Sequence, residues 1–139
     1  MREIRPLQLS HLKQVLIIDD DPVQLRVRET VLRGAGFEVS IATSAESGMA
    51  LLRTGSAAGT IGLVITDHVL PRATGADFAR MLRREHPSLP IIVLSGAYEA
   101  ESEYSGLEDV TYRQKPLQPR ELIELVRKKL EGVGGLPSA

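Results

Sequence analysis

Residues that could carry phosphoryl chemistry follow apolar stretches of this sequence. They are the acidic run Asp19-Asp20-Asp21, Asp67, Ser95 and Lys115. Each has an ordinary interpretation by itself, since an aspartate often lies in a turn, a serine often ends a strand and a lysine is usually solvated. Together they offer a carboxylate nucleophile, acidic ligands for a cation, and a hydroxyl and an ammonium as donors. This set meets the needs of phosphoryl transfer if the fold brings the residues together.

The acidic run has two interpretations that stay open at this point. One aspartate could cap a helix that begins near Pro22 while the other two are solvated. Alternatively, carboxylates held close together repel one another unless a cation joins them, and Mg²⁺ takes one or two carboxylates plus water and phosphate oxygens. The choice depends on which other side chains reach the same point.

Five short stretches predict β-strands. Short apolar runs that end in a polar residue are typical of parallel strands buried on both faces. The predicted strands are residues 15–18, 37–42, 63–65, 91–94 and 110–114. The candidate residues therefore lie at the carboxyl ends of the first, third, fourth and fifth strands.

Segments with helical spacing separate these strands. The predicted helices are residues 22–33, 44–53, 74–85 and 119–131. The predicted apolar stripe of the first helix consists of Val23, Leu25, Val27, Val31 and Leu32. Residues 98–109 are acidic and contain Gly106, so this segment is expected to be short or irregular. Residues 54–60 are predicted to form a flexible loop.

Alternating strands and helices predict an α/β domain with a parallel sheet and helices on both of its faces. In such sheets ligands bind beyond the carboxyl ends of the strands, where the strand order reverses. This arrangement would bring three carboxylates, one hydroxyl and one ammonium into one small cleft.

The composition is that of one ordinary soluble domain. The chain has 139 residues, 42% of them hydrophobic and 25% charged, with a formal net charge of -1. Without a basic excess, direct binding to nucleic acid is not expected, and without a long apolar run a cytoplasmic location is expected. The absence of cysteine excludes disulfides and thiolate metal sites. The expected division is an N-terminal extension at 1–14, a domain at 15–131 and a flexible tail at 132–139.

Four elements in order make the sequence resemble the receiver domains of two-component response regulators. They are the DDDP run, the D-x-x-x-P-x-x-x-G spacing from Asp67 to Gly75, the serine after an apolar strand, and the KP dipeptide at Lys115. The resemblance extends from Val15 to about Leu130. It implies a flavodoxin-like, doubly wound (βα)5 three-layer sandwich with strand order 2-1-3-4-5.

The resemblance also implies a role for each matching residue. Asp67 would be the phosphoacceptor for a phosphoryl group from a histidine kinase or a histidine phosphotransfer protein. Asp20 would bind Mg²⁺ directly and Asp19 through water, together with Asp67 and the backbone carbonyl of Val69. Ser95 and Lys115 would bind the phosphoryl group. Ser95 and Tyr112 would form the switch pair that changes conformation when the group is bound. Such a domain catalyses its own phosphorylation but is not a turnover enzyme.

Some positions depart from the commonest receiver pattern. Val69 and Ala97 are apolar and cannot orient an attacking water, so slow self-dephosphorylation is expected. His68 is expected to be a solvent-facing turn residue. The acidic 98–109 segment has few apolar residues, so the sequence does not decide whether the fourth helix of the family forms. A homodimer through the usual face of the family, which includes that helix, therefore also stays undecided.

Two other functions compete with this one. The spacing of Asp19 and Asp21 superficially fits the D-x-D signature of haloacid-dehalogenase-type phosphatases, but that function gives Asp67 no role. The fold could also serve as a phosphorylation-independent adaptor, against which the complete set of site residues argues. The sequence does not distinguish a stand-alone regulator from the receiver of a hybrid sensor kinase, and the downstream effector stays unknown.

Overall fold

The computed structural model describes residues 13–54, 60–96 and 98–133, in which strands and helices alternate. The strands are β1 Lys13–Ile18, β2 Glu38–Ala42, β3 Thr60–Asp67, β4 Val69–Leu70, β5 Ala73–Thr74, β6 Ile91–Ser95 and β7 Val110–Gln114. The helices are α1 Pro22–Gly34, α2 Ala45–Thr54, α3 Gly75–Glu85 and α4 Pro119–Val133, with a 3₁₀ helix at Tyr98–Tyr104. None of the helices in these ranges is long and apolar enough to cross a membrane.

Five of the strands form one parallel sheet in the order β2-β1-β3-β6-β7. The short strands β4 and β5 pair with each other, antiparallel, between β3 and α3. With these two left out of the count, the order is 2-1-3-4-5, and the predicted flavodoxin-like fold is confirmed. The strand order reverses between β1 and β3, which places the cleft of a doubly wound fold at their carboxyl ends.

Two hydrophobic cores lie on opposite faces of the sheet, and the alternation of side chains along β1 shows how they are filled. Leu16 and Ile18 point to the core that α2 and α3 cover with Met49, Phe78 and Leu82. Their neighbours Val15 and Ile17 point to the core beneath α1 and α4, whose buried side chains include Leu25, Leu32, Leu122, Val126 and Leu130. Continuous burial of β1 therefore produces the expected three layers.

Helices α1 and α3 begin with side-chain caps that are recognisable in the sequence. The side chain of Asp21 accepts hydrogen bonds from the backbone N–H groups of Val23 and Gln24, and Pro22 occupies the first turn of α1. Thr74 caps α3 in a capping box. The Thr74 hydroxyl accepts a hydrogen bond from the Asp77 backbone N–H, and the Asp77 carboxylate accepts one from the Thr74 backbone N–H. The latter cap fixes the end of the loop that follows β3.

The predicted apolar stripe of α1 was right for Leu25 and Leu32 and wrong for Val23 and Val27. Val23 is 67% exposed and Val27 is 51% exposed, whereas Leu25, Arg28 and Leu32 are buried. Positions 25, 28 and 32 lie three and four residues apart, so they share the helix face that packs on the sheet. The arginine interrupts the apolar pattern of that face, so the prediction omitted Arg28 and included the two exposed valines.

The segment after β6 is irregular, as predicted. A 3₁₀ helix spans Tyr98–Tyr104, and within it Ala100 and Tyr104 are buried. Gly106 and Asp109 then adopt positive φ angles of 84° and 53°, which end the segment before β7. The predicted loop at 54–60 lies, from residue 55 to 59, outside the described residues, as do Ala97, most of the 1–14 extension and residues 134–139.

Candidate functional site

The candidate residues lie at one edge of the sheet because the parallel strands end there together. Asp19 follows β1, Asp67 ends β3 and Ser95 ends β6. Asp67 is in register with Leu94, and the backbone N–H of Lys115 donates to the Ser95 carbonyl at 2.8 Å. The predicted convergence of these strand ends is therefore observed.

Three carboxylates form an acidic cluster at this edge. Asp19, Asp20 and Asp67 each offer an oxygen, and these oxygens lie within 4.8 Å of one another. Asp19 is fully buried, Asp67 is largely buried and Asp20 is exposed. The acidic run therefore divides in two, because Asp21 caps α1 while its two neighbours face the cluster. An oxygen-lined group of this size and burial fits a hard divalent cation such as Mg²⁺.

Lys115 forms an ion pair with Asp67, with 2.6 Å between Nζ and Oδ1. Burial raises the pKa of the Asp67 carboxyl above its ordinary value, and the hydrogen bond from Lys115 opposes that rise. The lysine reaches the carboxylate because β7 ends beside β6, with Gln114 in register with Ser95. A cation is thus already held beside the central carboxylate.

The two residues predicted to form a switch pair, Ser95 and Tyr112, lie on the neighbouring strands β6 and β7. Ser95 is buried at the end of β6, and Tyr112 lies half-buried in β7, in register with Val93. The ring of Tyr112 contacts that of Tyr104, with 5.7 Å between the centroids. Val69, two residues after Asp67, has an exposed side chain in β4.

Arg28 is a member of the site that the sequence interpretation missed. Its Nη1 lies 2.5 Å from Oδ2 of Asp19, and its Nη2 donates to the Gln24 side chain at 3.5 Å. The other carboxylate oxygen of Asp19, Oδ1, accepts from the Asp21 backbone N–H at 2.9 Å. The available signal was the spacing of residues 25, 28 and 32 on one helix face.

The prediction that His68 faces solvent was wrong. His68 is buried, and its Nδ1 lies 2.7 Å from the hydroxyl of Tyr104. Its backbone continues the line of β3, since its N–H donates to the Leu94 carbonyl and its own carbonyl accepts from the Gly75 N–H. The imidazole thereby contacts the last residue of the 3₁₀ helix, Tyr104. Burial raises the pKa of the Tyr104 hydroxyl, which therefore stays protonated.

The family model of the response regulator receiver domain matches residues 15–127, which are most of the chain. The chain belongs to the response-regulator receiver family. The acidic cluster fits the phosphoacceptor site of this family, whose members bind Mg²⁺ at a group of aspartates.

Two curated bacterial regulators are similar to the chain in sequence. The DNA-binding response regulator MtrA of Mycolicibacterium smegmatis is 31% identical over 120 residues, which are 85% of this chain and 50% of MtrA. The alkaline phosphatase synthesis transcriptional regulatory protein SphR of Synechococcus elongatus is 32% identical over 132 residues, which are 90% of this chain and 51% of SphR. The chain thus spans about half the length of these relatives.

Solved structures of receivers superpose on the chain. A CheY-like receiver domain protein from Methanospirillum hungatei JF-1 gives a TM-score of 0.78 at 28% identity, covering 87% of this chain and 95% of that protein. A receiver protein from Sinorhizobium medicae WSM419 gives a TM-score of 0.76 at 30% identity, covering 87% and 96%. The fold and the family assignment therefore agree.

The family assignment disfavours the phosphatase alternative, and so does the geometry of Asp19. A nucleophilic carboxylate must reach a substrate phosphorus, but Asp19 is fully buried and both of its oxygens already have partners in Arg28 and the Asp21 N–H. Asp67 is the more accessible of the two buried carboxylates, with a side chain that is 11% exposed against 1% for Asp19.

Proposed function

We propose that this receiver takes a phosphoryl group onto Asp67 from the phosphohistidine of a histidine kinase or a histidine phosphotransfer protein. The observation that carries the proposal is the Asp67 carboxylate itself, held 2.6 Å from the Lys115 ammonium and within 4.8 Å of two further carboxylates. That combination prepares a nucleophile and provides positive charge for the group that it attacks.

Asp19, Asp20 and Asp67, with the backbone carbonyl of Val69, would hold Mg²⁺. The bound ion offsets charge on the phosphoryl oxygens. Lys115 would do the same, since its ammonium already contacts Oδ1 and can bond a phosphoryl oxygen once that carboxylate is phosphorylated. A dianionic group can therefore approach an anionic nucleophile.

The transfer requires little covalent chemistry from the protein. A carboxylate oxygen of Asp67 forms a bond to phosphorus, the phosphorus–nitrogen bond of the donor breaks, and the released imidazole takes up a proton. The chain contributes by positioning, because Asp67 is fixed at the end of β3 between the paired strands β1 and β6. The free carboxylate of Asp67 returns when the acyl phosphate hydrolyses or passes its phosphoryl group to another acceptor.

The readout of phosphorylation would begin at Ser95. The new group carries roughly -1.5 to -2 charges and three acceptor oxygens, so a nearby hydroxyl is drawn toward it. Tyr112 lies on the adjacent strand and packs against Tyr104, so movement at the end of β6 can be passed to the surface of β7 and the 3₁₀ helix. Absence of nucleic-acid binding by this chain, a cytoplasmic location and a homodimer all stay predictions.

Asp67→Asn tests the assignment most directly. With a small phosphodonor such as acetyl phosphate and Mg²⁺, the wild-type protein should gain one phosphoryl group by intact mass, and Asp67→Asn should gain none. Removal of Mg²⁺ by a chelator should also prevent the gain.

Asp21→Asn is the matched control. It removes one carboxylate from the same acidic run, and asparagine caps a helix about as well as aspartate. Because Asp21 caps α1 and does not belong to the acidic cluster, this variant should be phosphorylated like the wild type. Full labelling of Asp67→Asn would refute the proposed acceptor.

A further inference from the structure

Arg28 is a buried cation on the face of α1 that packs against the sheet. Its side chain is 10% exposed, and its neighbours on that face, Leu25 and Leu32, are buried. A guanidinium among leucines is unfavourable unless a carboxylate pairs with it. Asp19 supplies that carboxylate with a side chain that is 1% exposed, so the pair is almost fully removed from water.

The ion pair uses the same carboxylate that faces the acidic cluster. Oδ2 of Asp19 contacts Arg28 and Oδ1 accepts from the Asp21 N–H, yet an oxygen of Asp19 also lies within 4.8 Å of oxygens of Asp20 and Asp67. Any divalent cation bound by these three carboxylates must therefore share Asp19 with a guanidinium that is already in place.

Arg28 also changes the charge of the site. Three carboxylates face two cationic side chains, Lys115 and Arg28, so the group carries one net negative charge, where it would carry two without the arginine. The field of Arg28 reaches the proposed acceptor as well, because it lowers the pKa of Asp67 against the effect of burial. The site with Arg28 therefore attracts a divalent cation less strongly than the same carboxylates and Lys115 would without Arg28.

We infer that Arg28 is an internal counter-cation of the acidic site, which holds Asp19 in place without metal and weakens the binding of Mg²⁺ by sharing that carboxylate. The inference rests on the proposed metal-dependent function, and it makes Arg28 a positioning residue. The site would keep its arrangement when the metal is absent and would load only at a higher Mg²⁺ concentration than the same site without Arg28.

The test is the affinity of Arg28→Gln for a divalent cation. Glutamine removes the charge and keeps an amide donor for Asp19, so the buried carboxylate is not left without a partner. Titration with Mn²⁺, followed by electron paramagnetic resonance and with Mg²⁺ as competitor, needs no phosphodonor. Loss of one nearby positive charge should tighten binding by at least about tenfold, because a monovalent and a divalent cation about 6 Å apart repel by that factor even at the dielectric constant of water.

Arg26→Gln is the matched control. Arg26 lies on the same helix and its side chain is 75% exposed, with Glu29 as a distant partner at 3.7 Å. It makes the same change in net charge, but solvent screens its effect, so Mn²⁺ affinity should stay within about twofold of wild type. Equal or weaker affinity in Arg28→Gln than in the wild type would overturn the inference.

Thermal unfolding gives a second readout. A cation that binds the folded state raises its melting temperature according to its affinity, so added Mg²⁺ should raise the melting temperature of Arg28→Gln by more than that of the wild type. An equal rise would count against the role of Arg28, even if the variant were less stable without metal. Labelling of Asp67 by acetyl phosphate is measured separately, so the proposed acceptor could stand while the inference about Arg28 fails.

Discussion

Gly75→Ala is expected to destabilise the fold and to disturb the loop that follows Asp67, because the first residue of α3 has no room for a methyl group. A Cβ at this position would lie 2.5 Å from the Tyr104 hydroxyl, 2.7 Å from the carbonyl oxygen of Asp67 and 3.0 Å from Cα of His68. Two of these three atoms are backbone. The backbone N–H of Gly75 also donates to the His68 carbonyl at 2.6 Å, so the helix start cannot simply move away.

The magnitude follows from two opposing effects. Forcing an extra methyl group into a packed region costs about 1–3 kcal/mol. Alanine favours the helix over glycine by up to about 1 kcal/mol, which offsets part of that cost. The net loss should be about 1–2 kcal/mol, or a melting temperature lower by roughly 3–8 °C for a domain of this size. Since the carbonyl of Asp67 must shift, phosphorylation from acetyl phosphate should slow as well.

Urea unfolding followed by far-ultraviolet circular dichroism measures the effect. Gly34→Ala, at the end of α1, is the control, because a Cβ there would have no atom within 4 Å and its unfolding midpoint should be unchanged or higher. Gly75→Ala should show a lower midpoint with an unchanged slope. If Gly75→Ala were as stable as the wild type, that result would refute the reasoning. The backbone of Asp67 and His68 would then leave room for a methyl group at position 75.

Two further predictions concern single polar groups. Tyr104→Phe removes the hydroxyl partner of buried His68, and an unsatisfied buried group costs about 1–3 kcal/mol; an unchanged urea midpoint would mean that solvent reaches the imidazole. The backbone bond from Thr74 lowers the Asp77 pKa, so its contribution is present above the unfolded pKa and is lost as the pH falls through the folded pKa. Asp77→Asn should therefore be less stable than wild type at pH 7 and equal to it near about pH 2, whereas a difference independent of pH would argue against a charged cap.

Much of the site could be predicted because its residues stand at strand ends. The apolar runs before Asp19, Asp67 and Ser95 are buried on both faces of the sheet, and such runs are readable from one sequence. Parallel strands then bring their carboxyl ends to one edge, whatever the loops do. Lys115 is found in the same way, from its place directly after β7.

Other features depended on contacts that no local pattern records. The division of the acidic run into a cap at Asp21 and two members of the cluster depends on where α1 begins relative to the end of β1. The apolar residues of α1 marked its inward face only in part, since Leu25 and Leu32 are buried but Val23 and Val27 are exposed and Arg28 is buried. Helical periodicity gives the spacing of a face but does not show which face meets the sheet.

The sequence by itself determined the five strands of the parallel sheet, the class of fold and the residues at the ends of those strands. Burial on both faces leaves a continuous apolar run, and a parallel sheet brings together the residues that follow each run. Only the tertiary structure decided that Asp19 pairs with Arg28 and that His68 pairs with Tyr104, 36 positions further along the chain. Asp67 is therefore the acceptor that the sequence predicts. Its surroundings follow from packing, since buried polar side chains take the partners that the folded chain brings within reach.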